Sequence, residues 1–107
     1  MNGMYTYAFT NPRPSQACYD LLSGRRSYLN LTRVINKDGE NIVKKQSGST
    51  QTQIVVEANE TITMELTFTS KRPGIEVFFY ITESFDDMLG IDSEEDIISR
   101  MLKFRLE

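Results

Sequence analysis

The stretch TITMELTFT, residues 61–69, alternates without a break. Ile62, Met64, Leu66 and Phe68 fall on one side, and Thr61, Thr63, Glu65, Thr67 and Thr69 on the other. A period of two belongs to a strand and not to a helix. This stretch therefore commits the chain to a sheet with one buried face. IEVFFYIT, residues 75–82, is apolar on both sides: Ile75, Val77, Phe79 and Ile81 share one face, and Phe78 and Tyr80 lie opposite. Such a strand is central and needs a covering layer on each face. Between the two stretches, Pro73 presets φ and Gly74 accepts positive φ, so the pair is expected to close as a hairpin.

Further strand signals surround this pair. Tyr5, Tyr7 and Phe9 alternate with Thr6, Ala8 and Thr10 until Asn11-Pro12-Arg13-Pro14 removes two ladder donors. Ser15–Leu22 is read as a short helical turn closed by Gly24. In 27–36, Leu29, Leu31 and Ile35 define a core face that Arg33 interrupts. Asp38-Gly39 then supplies a turn before a weaker strand at 41–46. Residues 51–57 turn Ile54 and Val56 inward. Near the end of the chain, Ser93 precedes three acidic residues, which suits a helix start, and Ile97, Ile98, Met101 and Leu102 fall on one helical face. The alternation in Lys103-Phe104-Arg105-Leu106 leaves a strand as the other reading of that tail. The fold class expected is mainly β: one domain, 1–107, built as a small antiparallel β-sandwich of about six strands. An acidic loop and a C-terminal α-helix at 84–104 pack on it. That helix is one candidate cover for Phe78 and Tyr80, and a partner surface is the other.

The composition removes most enzyme chemistry. The chain has no histidine, so the commonest general base near neutral pH and the usual zinc ligand sets are missing. A single cysteine, Cys18, can hold neither an intrachain disulfide nor an iron–sulfur cluster. It also favours a reducing, cytoplasmic setting, as does an N-terminus without a signal-peptide pattern. Neither glycine-rich phosphate loop occurs. Six carboxylates, Asp86, Asp87, Asp92, Glu94, Glu95 and Asp96, crowd one segment, but their spacing does not match the helix–loop–helix calcium pattern. They read as solvated acids around a helix start. No catalytic residue, metal ligand or cofactor is expected. No run of apolar residues is long enough to span a membrane. The net charge of −3 and pI of about 5.0 argue against nucleic acid, despite Arg25, Arg26, Tyr28, Lys44 and Lys45. The first 45 residues are net basic and the remainder net acidic, an asymmetry that can guide docking or self-association through complementary surfaces.

LTRVINKDGE, IVVEANETITMELTFT and IEVFFYITES, within residues 27–84, together resemble the C-terminal β-sandwich of Wzt-type polysaccharide ABC transporters. The shared pattern is a strand ending in an acidic-Gly turn, a second turn before a long alternating strand, and a following strand that enters another turn. The resemblance implies a sandwich and, as an alternative function, carbohydrate binding. The chain has no tryptophan for sugar stacking, which leaves Tyr5, Tyr7, Tyr19, Tyr28 and Tyr80 for that role. The reading from the residues themselves is a non-catalytic module that binds a protein partner or self-associates through a sheet edge or an exposed β face. The residues expected at the contact are Phe78, Tyr80, Arg25, Arg26, Lys71 and Arg72.

Overall fold

A computed structural model describes residues 2–24, 28–43, 52–84 and 97–106. These form seven strands: β1 (Asn2–Thr10), β2 (Ala17–Ser23), β3 (Leu29–Ile35), β4 (Thr52–Val56), β5 (Thr61–Thr69), β6 (Ile75–Glu83) and β7 (Ser99–Leu106). They make two antiparallel sheets, one of three strands in the order β1-β5-β3 and one of four in the order β4-β2-β6-β7. Both sheets feed a single core. Phe9, Leu29, Val34, Ile62, Met64 and Leu66 come from the first, and Tyr19, Leu21, Ile54, Val56, Val77, Phe79, Ile81 and Leu106 from the second. The alternation of 61–69 survives intact: Ile62, Met64 and Leu66 have no exposed surface.

Three expectations are corrected. The C-terminal helix is replaced by β7, paired along its length with β6 from Ile75↔Leu106 to Thr82↔Ser99, and no helix occurs among the described residues. The period-two sequence of Leu102, Phe104 and Leu106 wins because a strand buries all three against a sheet already formed. A helix would point Phe104 away from Ile98 and Leu102. The expected helix start at 93–96 and the acidic loop from residue 85 lie outside the described residues. The helical turn at 15–22 is strand β2, in the centre of the four-stranded sheet, with Ala17, Tyr19 and Leu21 inward. The hairpin of 61–69 with 75–82 does not form. The connection 70–74 crosses from one sheet to the other, although Gly74 does take positive φ, 85°. Of the strand expected at 41–46, residues 41–43 make one bridge, Ile35↔Asn41, and 44–46 lie outside the described residues.

The interruption at Arg33 is resolved by a bulge. Leu31 pairs with Leu66 and Arg33 with the next residue back, Glu65, so Thr32 is an extra residue in β3. A bulge reverses the inside–outside phase of the strand beyond it. Leu29 lies inward before it and Val34 after it, while Arg33 moves to the solvent face, 3.7 Å from the Glu65 carboxylate. The Thr32 hydroxyl donates to the Glu65 carbonyl at 2.9 Å and holds the bulge.

An aromatic stack closes the side where β1 and β7 run along the margins of their sheets. Tyr5 lies between Phe68 and Phe104, with centroids 5.0 and 4.6 Å away, and its hydroxyl donates to the Arg105 carbonyl. Gly3 pairs with Phe68 and has no side chain, so the ring lies over its backbone.

Candidate functional site

The outer face of the four-stranded sheet carries the apolar surface. Once Val77, Phe79 and Ile81 turn inward, the pleat forces Phe78 and Tyr80 outward. Register then sets their neighbours. Leu22 on β2, Tyr80 on β6 and Met101 on β7 are successive partners, a row about 10 Å across. Phe78 lies opposite Lys103, and on the far side Val55 lies opposite Cys18. Gly24, whose N–H donates to the Phe78 carbonyl at 2.9 Å, leaves the flank of Tyr80 and Phe78 open. Leu22, Val55 and Met101 are 39, 48 and 60% exposed, which is high for large apolar side chains grouped on one face. Polar groups border them: Asp20 and Thr82 toward one end, and Lys103, 3.3 Å from Glu76, toward the other.

The outer face of the three-stranded sheet has the opposite character. Thr6, Thr10, Thr61, Thr63, Thr67 and Thr69 occupy it, with the Thr10 and Thr61 hydroxyls 2.7 Å apart and Met4 as its one large exposed apolar side chain among the described residues. Threonine is an ordinary solvated-strand residue. The apolar surface is thus confined largely to one of two otherwise equivalent faces.

Of the six residues expected at the contact, the fold brings Phe78 and Tyr80 together on this face, both half-buried. Lys71 and Arg72 are exposed in the 70–74 turn at the end of the sheets and do not join the face. Arg25 and Arg26 lie outside the described residues, as do Lys44 and Lys45. Leu22, Val55 and Met101 were not expected there. Leu22 and Met101 lie in segments whose spacing suggested helix, and Val55 is the outward residue of an expected strand; only the strand register sets all three on one face.

A second polar constellation is buried at the opposite end of the sheets. The Asn11 side chain, with no exposed surface, donates to the carbonyls of Ser15, Val56 and Glu57 and accepts from the Arg13 N–H and the Tyr19 hydroxyl, the last at 2.6 Å. Burial pushes the Tyr19 hydroxyl from the ordinary 10.0 up to about 12, with the Glu83 carboxylate adding to the shift. Arg13 grips Glu83 with two bonds, Nε to Oε2 at 2.9 Å and Nη2 to Oε1 at 2.7 Å, and the Ile98 N–H adds a third. The Arg13 guanidinium holds the Glu83 carboxyl below the ordinary value, against the opposing effect of burial. The Lys37 N–H does the same for Glu60, helped by the Glu57 N–H. Among the described residues every buried side-chain nitrogen and oxygen has a partner. A network this complete ties loops together and offers no open donor or acceptor to a ligand.

Among the described residues no three His, Cys, Asp or Glu side chains are placed to hold a metal ion, and no helix is long and apolar enough to cross a membrane. Comparison with known proteins found no matching family model, curated protein or solved structure.

Proposed function

We propose that the chain is a β-sandwich module without catalytic activity that binds a protein surface through the outer face of its four-stranded sheet. The observation supporting this reading is the row Leu22–Tyr80–Met101, with Phe78 beside it, on one outer face while threonine dominates the other. Apolar groups in such a row release water on contact at roughly 25 cal/mol per Å² buried. Tyrosine, phenylalanine and methionine are the residue types enriched at interface cores.

The face is favoured over the β7 edge. Glu83 donates to the Ile98 carbonyl, and pairing alternates, so Ser99, Met101, Lys103 and Arg105 turn their backbone groups away from β6. The Ser99 carbonyl already accepts from Arg100 Nη1 and the Arg105 carbonyl from the Tyr5 hydroxyl. Two of the carbonyls an incoming strand needs are therefore occupied, and basic side chains guard the edge.

The test is a Met101→Glu variant beside a Thr63→Glu control on the other face. Affinity capture should retain one protein on the wild type and the control, and lose it on Met101→Glu. Equal capture by all three would overturn the reading. So would saturable oligosaccharide shifts on the outer-face tyrosine without protein capture, or turnover of a small-molecule substrate.

A further inference from the structure

The two ends of the sheets carry opposite charge. One end holds the 11–16, 36–43 and 57–60 connections and the last residues of β6. With the start of β7 included, its described residues hold five carboxylates, Asp38, Glu40, Glu57, Glu60 and Glu83, against three cations, Arg13, Lys37 and Arg100. Glu83 is matched by Arg13, and the Glu60 carboxylate is taken by backbone N–H groups, so three exposed carboxylates, Asp38, Glu40 and Glu57, stand against the exposed Lys37 and Arg100. The other end holds the 70–74 connection, the start of β6 and the end of β7. There, among the described residues, Lys71, Arg72, Lys103 and Arg105 stand against one carboxylate, Glu76, which Lys103 meets at 3.3 Å. Lys71 and Arg72 are exposed on the turn itself.

We propose that copies of this chain associate end to end, the Lys71–Arg72 turn of one copy docking on the Asp38–Glu40–Glu57 end of the next. The two ends of one molecule are complementary in charge. The ends are separated along an elongated body of 45 × 30 × 26 Å, and each carries the counter-charge the other needs. A contact between two different patches is heterologous and leaves a free end of each kind, so it propagates as a chain of copies and does not stop at a pair. Exposed ion pairs are individually weak, so the association depends on concentration and on salt. This surface is separate from the apolar face, and either can operate without the other.

A charge exchange tests it by sedimentation velocity. In about 20 mM salt, where screening reaches roughly 20 Å, the mass of the wild type should rise above 12.3 kDa with concentration. It should return to the monomer at about 0.5 M salt, where screening falls to roughly 4 Å. Lys71→Glu/Arg72→Glu makes both ends acidic, and Glu40→Lys/Glu57→Lys makes both basic. Each double variant should be monomeric alone, and an equimolar mixture should associate again. All substituted side chains are exposed, and circular dichroism checks that each variant is folded. A wild type that stays monomeric at low salt, including one that binds anionic vesicles instead, overturns the proposal. So does a mixture that fails to associate. Association that survives 0.5 M salt and is abolished by Met101→Glu also overturns it, while leaving the apolar-face reading in place.

Discussion

Asn11→Ala removes the centre of the buried polar network, and its cost can be worked from the contacts. Three of the lost bonds involve backbone groups of Arg13, Ser15 and Glu57 that are only partly buried, where water can replace the side chain at small cost. Two losses are not so easily replaced. The bond to the Val56 carbonyl is buried, worth about 1 kcal/mol net. The Tyr19 hydroxyl, on a fully buried residue, is left without its acceptor, at about 2 kcal/mol. The sum is about 3 kcal/mol, a large share of the roughly 5–15 kcal/mol typical of a domain. With a urea slope of about 1.5 kcal/mol per M, the unfolding midpoint falls by about 2 M. Tyr19→Phe alone costs about 1 kcal/mol, because Asn11 keeps its other partners. Added to Asn11→Ala, the same change removes the stranded hydroxyl. The double variant should therefore be about 1 kcal/mol more stable than Asn11→Ala alone. Urea unfolding of the four proteins in this cycle measures the coupling directly. Strict additivity, with the double variant the least stable of all, would refute the reasoning that the stranded hydroxyl carries the cost.

Two other expectations concern stability. The Glu83 and Glu60 carboxyls are held below the ordinary 4.5 in the folded chain, so the stability they contribute is complete above that value and is lost as pH falls through their folded values. Glu83→Gln should flatten the acid limb of a thermal-midpoint profile below about pH 4.5, and adding Glu60→Gln should flatten it further; an unchanged limb counts against the Arg13–Glu83 clamp. Gly3→Ala should cost about 1–3 kcal/mol in chemical denaturation, because the new methyl overlaps the Phe68 ring, and most of that cost should vanish in a Phe68→Leu background.

How far the residues foretold the structure depended on whether a local pattern had a rival. In 61–69 nothing competes with the alternation, and β5 forms as expected, with Ile62, Met64 and Leu66 buried. The glycine turns were legible for the same reason: Asp38-Gly39 and Pro73-Gly74 both place glycine at positive φ. At 97–106 two periods overlap, and the helical spacing of Ile97, Ile98, Met101 and Leu102 masked the strand. Ala17–Leu22 is short and contains helix formers, so the ladders that β2 makes with β4 and β6 decided its state. Such long-range pairing overrides local propensity and cannot be read from a window of a few residues. The bulge at Thr32 left one trace, an arginine at a core position. Asn11 left none, because an asparagine before a proline reads as ordinary turn chemistry. The candidate face was half legible: Phe78 and Tyr80 follow from a strand apolar on both sides, whereas Leu22 and Met101 reach them only through register.

Among the described strands, β6 with β7 alone joins neighbours in chain order; β1 finds its partner in β5, with Asn2 opposite Thr69. Beyond the short Ile35↔Asn41 bridge, such a topology offers the described strands of the first sheet no local pairing from which to grow. During synthesis β1 and β3 must wait, with their amides unmatched, until residues 61–69 have left the ribosome. Refolding should accordingly occupy milliseconds to seconds, as in other chains dominated by distant pairings, and its slow step should be sensitive to changes in β5.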